Sequence, residues 1–164
     1  MVEIAEGVNV QISGTTVTAK GPGGEVKKVF SPLIKLKAEG KEIVISGGSK
    51  ALTNTVDAIL MNMMYGAKTG YKRNLKFLYA HFPITMEIKG KDLTIKNFLG
   101  EKMPRKAKIA GNTKVETKGQ NVTVSGPDKE AVGQTIANMR TAVHIKDKDG
   151  RVFQDGIFEV EGEG

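Results

Sequence analysis

An internal repeat restricts what this chain can fold into more than any other feature. Val8–Lys20 alternates apolar and polar residues, breaks for a two-residue turn, and resumes alternating. Ile84–Lys96 does the same. Ile12, Gly14, Val17 and Thr18 match Ile88, Gly90, Leu93 and Thr94 without a gap. A period of two places alternate side chains on opposite faces of a strand, so each segment reads as a β-hairpin.

The correspondence continues downstream. Glu42–Gly47 parallels Asn121–Gly126, each a strand ending in Ser-Gly, and each is followed by a helical segment, about Ser49–Met64 and Asp128–Val143. Leu52, Val56 and Ile59 align with Val132, Ile136 and Met139, and their i, i+4, i+7 spacing puts them on one helix face. Ser49 and Asp128 stand where N-caps belong. A glycine-containing basic stretch then leads to a closing strand, Tyr71–Ala80 first and Arg151–Val160 second. The expected fold is α+β: two tandem duplicated domains, each a small, mostly antiparallel sheet with one helix packed on one face. The expected domains are residues 1–82 and 83–164, with the boundary near His81-Phe82-Pro83. Twenty glycines in 164 residues suit such short strands and tight turns.

Charge narrows the function. The chain carries 25 Lys+Arg against 18 Asp+Glu, a net of +7. Residues 1–82 and 83–158 each hold an excess of five positive charges, and a short acidic tail, 159–164, adds three glutamates. Two basic bodies favour a polyanionic partner. The acidic end is expected to face solvent or a protein. Without cysteine, disulfides, zinc knuckles and thiolate catalysis are excluded. No apolar run approaches the roughly 20 residues that span a bilayer, and the acidic, alternating N-terminus does not read as a signal peptide. The expectation is a cytoplasmic protein, and the glycosylation sequon Asn121-Val122-Thr123 carries no weight in it.

Enzymatic chemistry finds no convergent group of residues. His81 and His144 lie in different halves, and His81, at the domain junction, reads as a packing or backbone-bonding residue. Asp147 and Asp149 alternate with Lys146, Lys148 and Arg151, which compete for the carboxylates a metal would need. Gly21-Pro22-Gly23-Gly24 and Gly47-Gly48-Ser49-Lys50 lack the spacing of a nucleotide-phosphate loop. They read as an inter-strand loop and a strand-to-helix turn, with Ser49 and Lys50 retained as a lesser anion site at a helix N-terminus. No catalytic residue, metal or cofactor is expected.

Basic loops are the stronger candidates. Glu101–Lys108 contributes Lys102, Arg105, Lys106 and Lys108 from an expected extended loop after the second hairpin. Gly66–Arg73 contributes Lys68, Tyr71, Lys72 and Arg73 as a secondary RNA or protein contact. Lys146–Gln154 is its counterpart in the second half, where glycine lets backbone approach a phosphate, and Arg140 lies near the end of the preceding helix. Strand aromatics for base stacking are missing and no helix-turn-helix can be made out. Binding would rest on phosphate and shape recognition.

Longer words carry a resemblance. Tyr79–Ile84, Asn97–Lys102, Asp128–Gln134, Lys146–Asp149 and Arg151–Ile157 resemble large ribosomal subunit protein L-six, in particular its archaeal and eukaryotic branch, over nearly the whole chain from Gly7 to Val160. The resemblance implies two duplicated α+β domains and a structural constituent of the large subunit. It implies binding to large-subunit rRNA near the sarcin–ricin loop and the base of the lateral stalk. Neighbouring ribosomal proteins and docking translational GTPases would lie close by, and no homo-oligomer is expected. It further implies rRNA contact by Lys146, Lys148, Arg151 and Gln154, extended to Gly133 and Gln134 on the second helix. Bacterial members carry a Tyr-Lys-Gly-Lys-Gly word in this loop and a basic tail. The loop here, running from Lys146 to Arg151, and the Glu-rich end depart from that pattern.

Two other readings compete. A protein–protein adaptor would use exposed strand edges or Met61, Met63 and Met64, and its binding would resist RNase. An enzyme would depend on His81 or His144.

Overall fold

A computed structural model of the chain describes residues 2–39 and 42–160. They form two compact units, divided between residues 71 and 72, with residues 126–129 belonging to the first.

In the first unit the hairpin strands β2 (Asn9–Ser13) and β3 (Thr16–Gly21) pair in register Ile12↔Val17. β4 (Gly24–Val29) extends this sheet in the order β2-β3-β4. A second sheet has the order β1-β6-β5, from Val2–Glu3, Glu42–Ser46 and Lys35–Glu39. Val17, Ala19, Val26 and Ile43, the inward phase of these strands, are buried with Val56, Leu60, Met63 and Met64 of helix α1 (Lys50–Lys68). The helix starts where expected: the Ser49 side chain accepts from the Leu52 backbone N–H at 3.3 Å, satisfying one of the orphan donors of the first turn. It runs a turn beyond the expected Met64, until Gly70 takes a left-handed φ of 77°.

The second unit repeats the plan. β8 (Thr85–Lys89), β9 (Asp92–Lys96) and β10 (Arg105–Lys108) form one sheet, with a single 3₁₀ turn at Phe98–Gly100 between β9 and β10. Leu93 and Ile95 occupy the places of Val17 and Ala19 and are as fully buried. The other sheet has the order β11-β12-β7-β13, from Lys114–Lys118, Asn121–Gly126, Tyr71–Leu78 and Gly156–Glu159. Helix α2 (Lys129–Ala142) buries Val132, Ile136 and Met139, the expected face.

The fold is therefore the expected α+β duplication, with two small sheets per unit where a single one had been foreseen. The boundary foreseen at His81-Phe82-Pro83 is that of the sequence repeat, whereas the compact units divide at Tyr71/Lys72. Strand β7 closes the first repeat in sequence, yet it pairs with β13 in register Phe77↔Ile157 and so belongs to the second sheet. In the first unit β1 pairs with β6. The expected anion site at Ser49 and Lys50 is a strand-to-helix turn, with Gly47 and Gly48 at φ of 90° and 73°.

The Gly21–Gly24 loop is packed against the end of α1. The Gly23 N–H donates to the Ala67 carbonyl at 2.7 Å, and a Cβ on Gly21 would lie 2.5 Å from that oxygen. Its glycines serve close packing between two stretches of backbone.

Candidate nucleic-acid interface

The site begins with the way α2 ends. After Ala142 the chain leaves the helix and runs through an exposed loop to β13, turning at Asp147, whose φ is 59°. Asp149 organises the middle of this loop. Its carboxylate accepts from the Arg151 backbone N–H at 3.0 Å, and its carbonyl accepts from the Val152 and Phe153 N–H groups. Between α2 and the loop lies a groove of about 510 Å³, lined among others by Arg140, His144, Lys148, Gly150, Phe153 and Gln154. The fold thus brings Arg140 of α2 and Lys148 and Gln154 of the loop onto one concavity.

The cations differ in how free they are. Lys146 and Lys148 are exposed and have no ion-pair partner among the described residues. The Lys148 ammonium lies 4.8 Å from the Phe153 ring centroid, a cation–π contact. Arg151 is 92% exposed, and its Nε stands 3.3 Å from Asp149. Such an exposed pair contributes little and yields readily to a phosphate. Arg140 lies 3.9 Å from Glu159, which also pairs with Arg73 at 2.9 Å. Glu159, the first residue of the expected acidic tail, is thus held in β13 by two arginines, and residues 161–164 lie outside the described residues.

The stretch Glu101–Lys108 corrects the expectation of an extended loop. Its second half is strand β10, paired with β9 from Arg105↔Ile95 to Lys108↔Asp92. Alternation turns Arg105 and Ala107 inward and leaves Lys106 and Lys108 exposed, as is Lys102 before them. Arg105 is a brace. It makes a bidentate pair with Glu101 at 2.6 and 2.9 Å, and its Nη1 donates to the carbonyls of Ala142 and His144 at 3.0 and 2.9 Å. Carbonyls at a helix C-terminus lack intrahelical donors, so the guanidinium satisfies them and fixes the root of the loop. Its hydrogen bond to Glu101 raises the arginine pKa. The same bond lowers the Glu101 pKa, and the charge of Lys148 also lowers it. A lowered folded pKa makes this contribution present above the ordinary glutamate range and lost as pH falls through the folded value. With Glu101 substantially exposed, the contribution is small.

Arg105→Ala is accordingly expected to cost about 1–3 kcal/mol of stability through the lost charged hydrogen bonds. Lys106→Ala is expected to leave stability within about 0.5 kcal/mol. Denaturant melts of the two variants check this; equal effects would remove the distinction.

On α2 the exposed side presents Gly133, Gln134, Ala137, Arg140 and Thr141. The Gln134 amide donates to Asn138 at 2.9 Å. A Cβ on Gly133 would meet nothing within 4 Å, and Gly150 in the loop is equally open. No internal packing demands either glycine. In a helix interior glycine costs roughly 1 kcal/mol relative to alanine, so Gly133→Ala is expected to raise stability by about 0.5–1 kcal/mol. A denaturant midpoint below that of the native chain would contradict this.

The secondary set is divided between the two units. Lys68 is exposed at the end of α1 in the first unit. Tyr71 is packed there: its hydroxyl donates to the Asn62 carbonyl at 3.1 Å, and its ring lies 5.3 Å from that of Tyr65. Burial, then the charges of Tyr65 and Asp128, push its pKa up. This tyrosine is a packing residue, with its ring committed to the helix. Lys72 and Arg73 belong to the second unit, Lys72 exposed and Arg73 paired with Glu159.

Sequence reasoning gave no role in the site to Glu101, Phe153 or Asp155, and it read His81 as a packing or backbone-bonding residue without naming its partner. Asp155 is buried; its carboxyl group accepts from the backbone N–H of His81 and shares a hydrogen bond with the His81 ring Nδ1. Nothing in the sequence around His81 or Asp155 indicates a partner 74 residues away. For Arg105 a signal existed: the alternation Arg-Lys-Ala-Lys marks a strand with its arginine in the phase of the buried alanine.

Comparisons with known proteins agree with this architecture. The family model described as ribosomal protein L6 matches twice, over residues 4–70 and 82–156. The large ribosomal subunit protein uL6 of Methanosarcina mazei is 45% identical over 98% of this chain and 94% of its own length. Its counterpart in Methanocella arvoryzae is 42% identical over 96% of this chain and 93% of its own length. That of Staphylothermus marinus is 43% identical over 96% and 90%, respectively. The double match falls on the two repeats, and the identity extends over nearly the whole chain, so this chain belongs to the ribosomal protein L6 family.

Proposed function

We propose that this chain holds large-subunit rRNA near the sarcin–ricin loop and the base of the lateral stalk, through phosphate and shape recognition by its second unit. Family membership carries the coarser part: the chain is a structural, non-enzymatic constituent of the large ribosomal subunit, binds rRNA, and works in the ribosome of the cytoplasm. The groove between α2 and the Lys146–Gln154 loop is the observation that carries the finer part. It gathers Arg140, Lys148 and Gln154 around a concavity with exposed cations at its rim. Gly133 and Gly150, open to solvent, leave room for a sugar–phosphate backbone to approach closely. Lys106 and Lys108 add exposed charge on β10, and Lys102 adds more on the loop before it. Arg105 serves this surface from behind, as a brace. Lys68, Lys72 and Arg73 remain a secondary contact for RNA or protein. Ribosomal proteins of the stalk base and docking translational GTPases are the proposed neighbours.

The adaptor reading loses most of its methionine surface, since Met63 and Met64 are buried in the core and Met61 alone of the three is exposed. Sedimentation of a gentle lysate through sucrose, with and without RNase, decides between the two. Co-sedimentation with the large subunit that RNase abolishes is the expected result. Protein at the top of the gradient, or a complex indifferent to RNase, would favour the adaptor.

A further inference from the structure

We propose that His81 is a positioning residue for the Lys146–Gln154 loop: it pins the buried Asp155 at the root of the loop and sets Phe153 and Lys148 through its ring. The inference rests on the reading of that loop as an RNA contact. The Asp155 side chain is only 1% exposed. A carboxylate so buried is costly unless its oxygens are hydrogen-bonded. His81 satisfies both of them. Its backbone N–H donates to Oδ2 at 2.8 Å, and its ring Nδ1 lies 2.5 Å from Oδ1. The two contacts leave neither carboxyl oxygen of Asp155 without a partner.

The contact does not end there. The imidazole packs against the Phe153 ring with centroids 5.2 Å apart, and the Lys148 ammonium lies 4.8 Å from the centre of that same ring. A chain of contacts thus leads from a buried carboxyl group, through His81 and Phe153, to a cation on the groove. The hydrogen bonds of Asp149 to Arg151, Val152 and Phe153 tie the loop only to itself. Holding Phe153 and Lys148 before RNA arrives spares the ordering of two side chains on binding.

The test uses the full chain and a large-subunit rRNA fragment, with affinity measured across salt concentrations. The ring-current shift of the Lys148 ε-methylene protons, read by NMR without RNA, is the second readout. His81→Ala is expected to weaken binding about tenfold with the salt slope unchanged, since no phosphate contact is deleted, and to abolish the ring-current shift. Having no ring to pack on Phe153, His81→Asn, whose amide nitrogen overlays Nδ1, is expected to leave the ring-current shift lost but to recover part of the affinity. His81→Gln puts its amide out of that position and is expected not to recover it, which leaves a comparison even if the alanine variant fails to fold. Native-like affinity and an unaltered Lys148 shift in His81→Ala would overturn the proposal, as would equal affinity of the Asn and Gln variants. If Lys148→Glu with Arg151→Glu binds the fragment normally, the loop is not the RNA contact. The NMR arm then decides by itself whether His81 positions Lys148.

Discussion

Reversing the charge of Lys148 and Arg151 together, to glutamate, is expected to lower affinity for large-subunit rRNA about 10²–10³-fold near 0.1 M salt. Each charge-assisted hydrogen bond to a phosphate is worth about 1.5–3 kcal/mol. Two lost contacts alone therefore reach this range, and the new negative charges add repulsion. Because each neutralised phosphate releases condensed counterions, the slope of log affinity against log salt is expected to fall by about two. The fold is expected to survive. Arg151 is 92% exposed, and its single described ion pair is a weak one with Asp149. Lys148 gives up its place over Phe153, an interaction worth about 0.5–1 kcal/mol at an exposed site. Filter binding across a salt series, with thermal melts alongside, reads both effects. Normal affinity, or normal incorporation of the double variant into large subunits, would remove this loop from the interface.

Gly66→Ala is expected to have the largest effect on stability. By helix propensity the change would gain about 1 kcal/mol, as expected at Gly133. Gly66 lies inside α1, however, where an added Cβ would stand 1.9 Å from the Pro127 carbonyl oxygen and 2.9 Å from the Tyr71 ring. The first neighbour is backbone and cannot swing aside as a flexible side chain would, so the helix or the Pro127 turn has to shift. Overpacking of this kind costs about 3 kcal/mol or more after the propensity gain, a fall of about 10 °C in Tm for a chain of this size. An unchanged or raised Tm would show that the contact relaxes freely. The contrast with Gly133 rests on surroundings alone, since both glycines lie in helices.

Much of the fold was legible. The gapless match of Val8–Lys20 to Ile84–Lys96 announced the duplication, and the phase of Val17 and Ala19, or Leu93 and Ile95, named the buried side of each hairpin. Helix faces followed from Val56, Val132, Ile136 and Met139, and a cap from Ser49. Of the site, the basic words were legible as charge, but their freedom was not. Arg105 and Lys106 are alike in charge, and only the alternation of their strand separates them; one donates to two helix-end carbonyls and the other is exposed.

Periodicity, capping and glycine placement are local, so the sequence by itself determined which segments are strands and helices, which of their faces are apolar, and that the plan occurs twice. Partner choice is not local. Alternation in Tyr71–Leu78 dictates which side chains point inward but says nothing about which strand supplies the hydrogen bonds, and only the tertiary structure seats that strand beside Gly156–Glu159. The same holds for His81 and Asp155. A buried carboxylate needs donors, but a pairing across 74 residues exists only once two loops are packed together.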